Sequence, residues 1–194
     1  MFRRFFGIFL MGIVIKLMDD FLDKDIDRLT HQWNFAIILN RALLPYSFVL
    51  LIISLYLNFS DSVSIFAASY AIGMAGDYKE KLPTRLYSWQ EGILVLIMGV
   101  FISSFYDIIS AVIIVSIIQI IDDLIDFKND IKSQARNVIV KYGRVNSFLS
   151  IGILILLSIR FCPVKTVYYL TAFFLLNLLV CIISKEDGVV KNDY

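Results

Sequence analysis

The chain has 194 residues, of which 59% are hydrophobic and only 18% charged, and its mean hydropathy is +0.77. A soluble domain is roughly 45–50% apolar and about 25% charged, so composition argues against a soluble enzyme. A net charge of +1 argues against a nucleic-acid binder, which would carry a basic face. The length suits a single domain, residues 1–194, whose core is built in lipid.

A membrane-crossing helix needs about 20 mostly apolar residues, within a range of about 17–25. In chain order the candidates are 2–18, about 35–59, about 62–76, 89–102, 108–121, 145–161 and 164–183. The first follows Arg3 and Arg4 as a signal peptide would. No small-residue cleavage site follows it, however, and it runs straight into Asp19 and Asp20, so it reads as a helix of the mature chain. Arg41 and Pro45 predict a kink or a later start in the second. Apolar residues do not alternate with polar ones, which removes the outer-membrane barrel pattern. The expected fold is all-α, a polytopic transmembrane bundle of about seven helices.

Seven crossings put 13 of the 18 basic residues on one side, among them Lys24, Arg28, Lys81, Arg85, Lys132, Arg136 and Lys141. Only Arg3, Arg4, Arg160 and Lys165 fall on the other, and Arg41 lies within the second segment. The positive-inside rule makes the first side cytoplasmic. Cys162 and Cys181 are too few for a disulfide framework, and His31 has no neighbouring ligand for zinc.

Fifteen of the 17 acidic residues, all but Asp61 and Asp107, share the cytoplasmic side. Nine of them sit in two boxes that share one pattern, DDxxDxxxD, at 19–27 and 122–130, offset by 103 residues. Positions i, i+3 and i+7 share a helix face, so Asp20, Asp23 and Asp27 form one carboxylate stripe and Asp123, Asp126 and Asp130 another. A single acidic cluster beside a membrane helix reads as a solvated helix end. Two copies at equivalent depth, repelling one another unless cations intervene, read as a metal site. Oxygen-only ligands suit Mg²⁺, Ca²⁺ or Mn²⁺. Mg²⁺ in particular completes its shell with water and phosphate oxygens, which points to a phosphorylated ligand with an apolar remainder.

On these motifs the sequence resembles the UbiA-type intramembrane prenyltransferase family. Residues 19–27 are similar to the family's first box, NDxxDxxxD, with Asp19 where Asn is usual, and Asp123, Asp126 and Asp130 match the second. The segment 136–143, RNVIVKYG, is similar to the short basic, Gly-ending stretch after the second box, and 78–85, YKEKLPTR, to a cytoplasmic cap loop. Family members usually have nine helices in about 300 residues. The seven segments here resemble the second to the eighth, in the orientation that the charge count gives.

The resemblance implies Mg²⁺ held by Asp19, Asp20, Asp23, Asp27, Asp123, Asp126 and Asp130, with Asp20, Asp23, Asp123 and Asp126 central to catalysis. It implies a prenyl diphosphate donor and an aromatic or lipid acceptor, as in quinone or lipid biosynthesis. Lys24, Arg28, Arg41, Lys81, Arg85, Lys132, Arg136 and Lys141 are the candidate diphosphate contacts. The expected location is a prokaryotic cell membrane, with the boxes facing the cytoplasm and with a homo-oligomer as one way to close a chamber short of two helices. A terpene cyclase or a non-catalytic relative of the same fold is the alternative, and a polytopic transporter a more distant one.

Overall fold

The structure, a computed structural model, describes residues 2–30, 33–75, 81–133 and 138–192. The fold is all-α, and no named strand occurs among the described residues. Each of the seven hydrophobic segments is helical over most of its described residues. Four stretches, Phe35–Leu57, Phe105–Ile125, Arg144–Phe161 and Pro163–Lys185, are long and apolar enough to cross a membrane, and they mark a membrane protein. The other three expected spans are helices with a different character. Helix α1 (Phe2–Thr30) has charged residues at both ends of its apolar stretch, while α4 (Phe59–Ala75) and α5 (Ser88–Ile102) have 17 and 15 residues. At 1.5 Å per residue those two extend about 26 and 23 Å, short of a hydrocarbon core of about 30 Å.

The chain divides into two compact units, Met1–Leu57 with Tyr168–Tyr194, and Asn58–Val167. In the first unit α1 packs on α2 (Phe35–Leu39) and α3 (Leu43–Leu57), which are separated by a 3-10 turn, Asn40–Ala42. The turn breaks the predicted second segment, and Asn40 takes a positive φ of 46° at its start. Pro45 sits in the first turn of α3, where a missing N–H costs nothing. Ile8, Met11, Val14 and Leu17 bury one stripe of α1, and Leu17 joins Ala36 and Leu43 in the local core. Contacts of Gly7 with Ser54 and of Arg3 with Tyr56 set α1 and α3 antiparallel.

In the second unit α5 and α6 (Phe105–Ser133) pack on α4, while α7 (Val138–Tyr142) and α8 (Arg144–Phe161) pack on α6. Small residues let backbones approach, as in membrane helix pairs. A Cβ on Gly99 would stand 2.7 Å from Ile108 and 3.3 Å from Ala67. Helix α9 (Pro163–Asn192) begins in this unit. Large apolar side chains such as Ile52, Phe101 and Leu156 are exposed, as a lipid-facing surface requires.

The 103-residue offset of the acidic boxes extends to the helices. Helices α1 and α6 both have 29 residues, and each box begins 17 residues in, Asp19 from Phe2 and Asp122 from Phe105. The five-residue helices α2 and α7 start at Phe35 and Val138, and Asn40 and Gly143, also 103 apart, both have positive φ and precede an arginine, Arg41 or Arg144. The chain therefore carries an internal repeat in which each copy has one acidic helix.

Candidate functional site

The first box lies wholly within α1, which continues 12 residues beyond the predicted end of its apolar stretch at Met18. Asp20 is buried. Its Oδ1 lies 3.0 Å from Lys16 Nζ, and its Oδ2 accepts a 2.8 Å bond from the Phe35 backbone N–H. Asp19 shares Lys16 at 3.8 Å. After α1 the chain turns back so that Asn34, in extended conformation, caps α2 and reaches the box. Its Oδ1 accepts from Ala36 N–H, while its Nδ2 donates to Asp27 Oδ2 at 2.7 Å and to the Asp20 carbonyl at 2.8 Å. Asp23 is exposed and Asp27 half-buried. Asp19 and Asp23 both reach the surface, yet partial withdrawal from water is the first cause holding their carboxyls above the ordinary range; for both, neighbouring aspartates add to it and Lys16 works against it.

The second box occupies the same register of α6. Asp123 is buried like its counterpart Asp20, and Asp122 is half-buried. Asp126 and Asp130 lie on the helix, but their side chains are outside the described residues, as are those of Lys132 and Lys141 and the whole of Arg136 and Tyr78. Beside this box the Arg144 guanidinium stands 4.4 Å from the Phe127 ring centroid.

The remaining described basic residues belong to both units. Lys24 Nζ bonds Asn40 Oδ1 at 3.1 Å, and Arg28 is exposed in the last turn of α1. Arg41 was expected inside a continuous span; the break at 40–42 puts it at an exposed turn. Lys81 and Arg85 are exposed on a tight turn closed by the Lys81–Tyr87 bridge and anchored by Thr84 Oγ1 donating to Glu91 at 2.8 Å.

Sequence reasoning missed three features. Asn34 lies outside every motif. An apolar cavity of about 220 Å³ opens in the first unit beside the box, lined by Ile13, Leu17, Leu39, Leu50 and Leu176, with Lys16 and Phe35 at its Asp20 side. In the second unit Lys165 is buried between Asp61, at 2.9 Å, and Asp107, with hydroxyl contacts from Ser60 to Asp107 and from Lys165 to Ser110. The common far side of Asp61, Asp107 and Lys165 was readable, but their burial together was not.

Among the described residues no three His, Cys, Asp or Glu side chains gather closely enough to form a metal cage. An Mg²⁺ ion held by one or two carboxylates, water and phosphate does not need such a cage, and the all-oxygen donors of the first box fit it in kind. No protein-family model, curated protein or solved structure matches this chain.

Proposed function

We propose that this protein is a membrane-embedded, Mg²⁺-dependent prenyltransferase, moving a prenyl group from its diphosphate to an aromatic or lipid acceptor. One observation carries the reading: the same acidic pattern stands at the same register of two 29-residue helices. Carboxylates in a last helical turn are opposed by the helix dipole, so helix stability does not account for Asp27 and Asp130. Bound Mg²⁺ would supply neutralisation of the charge that develops on the departing diphosphate. Each copy of the repeat offers its own oxygen ligands, Asp19, Asp20, Asp23 and Asp27 in α1 and Asp123, Asp126 and Asp130 in α6. Lys24, Arg28, Arg41, Lys81, Arg85, Lys132, Arg136 and Lys141 bring cationic donors to phosphate oxygens. The apolar cavity beside Lys16 and Phe35 suits the hydrocarbon tail and keeps water from a reactive allylic centre. The excess of basic residues on one side in the seven-crossing reading supports a cytoplasmic position for the boxes, in what we take to be a prokaryotic membrane.

The test is to incubate the purified protein with labelled prenyl diphosphates, Mg²⁺ and a panel of quinone-precursor, haem and lipid acceptors. Labelled, Mg²⁺-dependent adducts are expected. Cyclised hydrocarbon formed without an acceptor would reassign the chemistry to a cyclase, and failure to consume any donor overturns the proposal.

A further inference from the structure

We infer that Asn34 is a positioning residue for the first acidic box, holding Asp27 in the orientation in which it meets a divalent cation. The inference rests on the reading of that box as a cation site. Asn34 is 1% exposed. Capping α2 uses only its Oδ1, on Ala36 N–H at 2.6 Å, and serine, threonine or aspartate caps a helix equally well. Among good capping side chains asparagine alone joins an acceptor oxygen to two N–H donors. Both directed contacts of Nδ2 go to the box, to Asp27 Oδ2 and to the Asp20 carbonyl. The amide thus fixes one oxygen of Asp27 and the backbone at Asp20, while the adjacent Phe35 N–H fixes Oδ2 of Asp20.

The donor's neutrality matters. An amide orients the Asp27 carboxylate without adding positive charge of its own, as a lysine or arginine in its place would. Outer-shell partners of this kind orient metal ligands, and their loss typically weakens metal binding roughly 10–100-fold. The repeat points the same way in sequence: Asn137 stands seven residues after Asp130, as Asn34 does after Asp27, each directly before a five-residue helix. Asn137 itself lies outside the described residues.

The experiment titrates the full-length protein in detergent with Mn²⁺, reading free ion by electron paramagnetic resonance, and follows thermal unfolding in parallel. Asn34→Ser keeps a capping oxygen but is too short to hold Asp27; Asn34→Thr serves the same purpose should the serine variant not fold. The expected result is a melting temperature close to that of the unchanged protein and a roughly 10–100-fold loss of affinity in one class of Mn²⁺ site. Asp27→Asn should lose at least as much, and the double variant no more than Asp27→Asn alone, because Asn34 acts through Asp27. Unchanged Mn²⁺ binding in Asn34→Ser beside weakened binding in Asp27→Asn, or additive losses in the double variant, overturns the inference and leaves Asn34 a helix cap. Unchanged binding in Asp20→Asn and Asp27→Asn as well removes the cation site itself, a separate and recognisable failure.

Discussion

Two groups of aspartates in this protein are treated in opposite ways. In the second unit Asp61 and Asp107 enclose the buried ammonium of Lys165, with Asn58, Ser60 and Ser110 as further partners. In the first unit five aspartates fall within nine residues of α1, Asp19 and Asp20 share one lysine, and Lys24 turns to the neutral Asn40. The added partners there, Asn34 and the Phe35 N–H, orient carboxylates without neutralising them. One cluster is built around a buried ammonium held by side chains of its own unit. The other sets five carboxylates within nine residues of one helix and orients two of them with an amide and a backbone N–H, the arrangement that the proposed function assigns to a cation site.

The largest effect tests the anionic side. Asp20→Asn and Asp123→Asn should each reduce Mg²⁺-dependent prenyl transfer to background while the protein still inserts in membranes, measured by turnover and by fractionation. Full activity in both variants would remove the functional reading of the boxes. The second effect tests the self-contained side. Lys165→Met takes the ammonium away from buried Asp61 and half-buried Asp107, and breaking a buried pair in this way costs about 3–5 kcal/mol. A large fall in melting temperature is expected, unaffected by Mg²⁺. If Mg²⁺ restores it, the two clusters are not different in kind.

The helices were legible because lipid-length apolar runs leave few alternatives, and the boxes because their spacing repeats. Helix ends were less legible. Hydropathy marks where α1 leaves the apolar stretch near Met18, but backbone hydrogen bonding carries the helix on to Thr30. The break at Asn40 is masked by a stretch, Phe35–Leu57, that contains an 18-residue window of mean hydropathy 2.0; Arg41 and Pro45 hinted at it, while the decisive feature is a backbone angle. Asn34 was invisible because its role depends on a chain reversal that brings it back beside Asp20 and Asp27. Lys165 was readable as a charge, but its contacts with Asp61 and Asp107 bridge three helices and have no local pattern.

A third effect follows from the raised Asp19 and Asp23 carboxyls. A carboxyl whose folded-state pKa exceeds its ordinary 3.8 binds its proton more tightly in the folded chain. Its contribution to stability is therefore fully present below about pH 3.8 and is lost as pH rises through the raised value. In chelator at pH 7 the double substitution Asp19→Asn, Asp23→Asn should melt above the unchanged protein, and the gap should close on acidification towards pH 4. Mg²⁺ at about 100 times its dissociation constant should stabilise the unchanged protein by about 2.7 kcal/mol, reversing the order. A gap that persists unchanged from pH 4 to pH 7 would show that these carboxylates carry no electrostatic strain for a cation to relieve.

The smallest effect concerns how each acidic helix is tied to the chain that follows it. In the second copy Arg144 stands over Phe127, and in the first the corresponding tie runs from Lys24 to Asn40. Positions 24 and 127 hold the same register, so both copies anchor the middle of the box to the turn after the short helix. An exposed cation–π contact contributes about 0.5–1 kcal/mol, so Arg144→Ala should lower stability by about that much, and Phe127→Leu should add little in the double variant. Mn²⁺ affinity should be unchanged, because the contact that is lost joins the guanidinium to an apolar ring. If instead Arg144→Ala leaves melting intact and suppresses turnover, Arg144 faces the diphosphate, and the repeat then extends to Arg41, the arginine at the same position in the first copy.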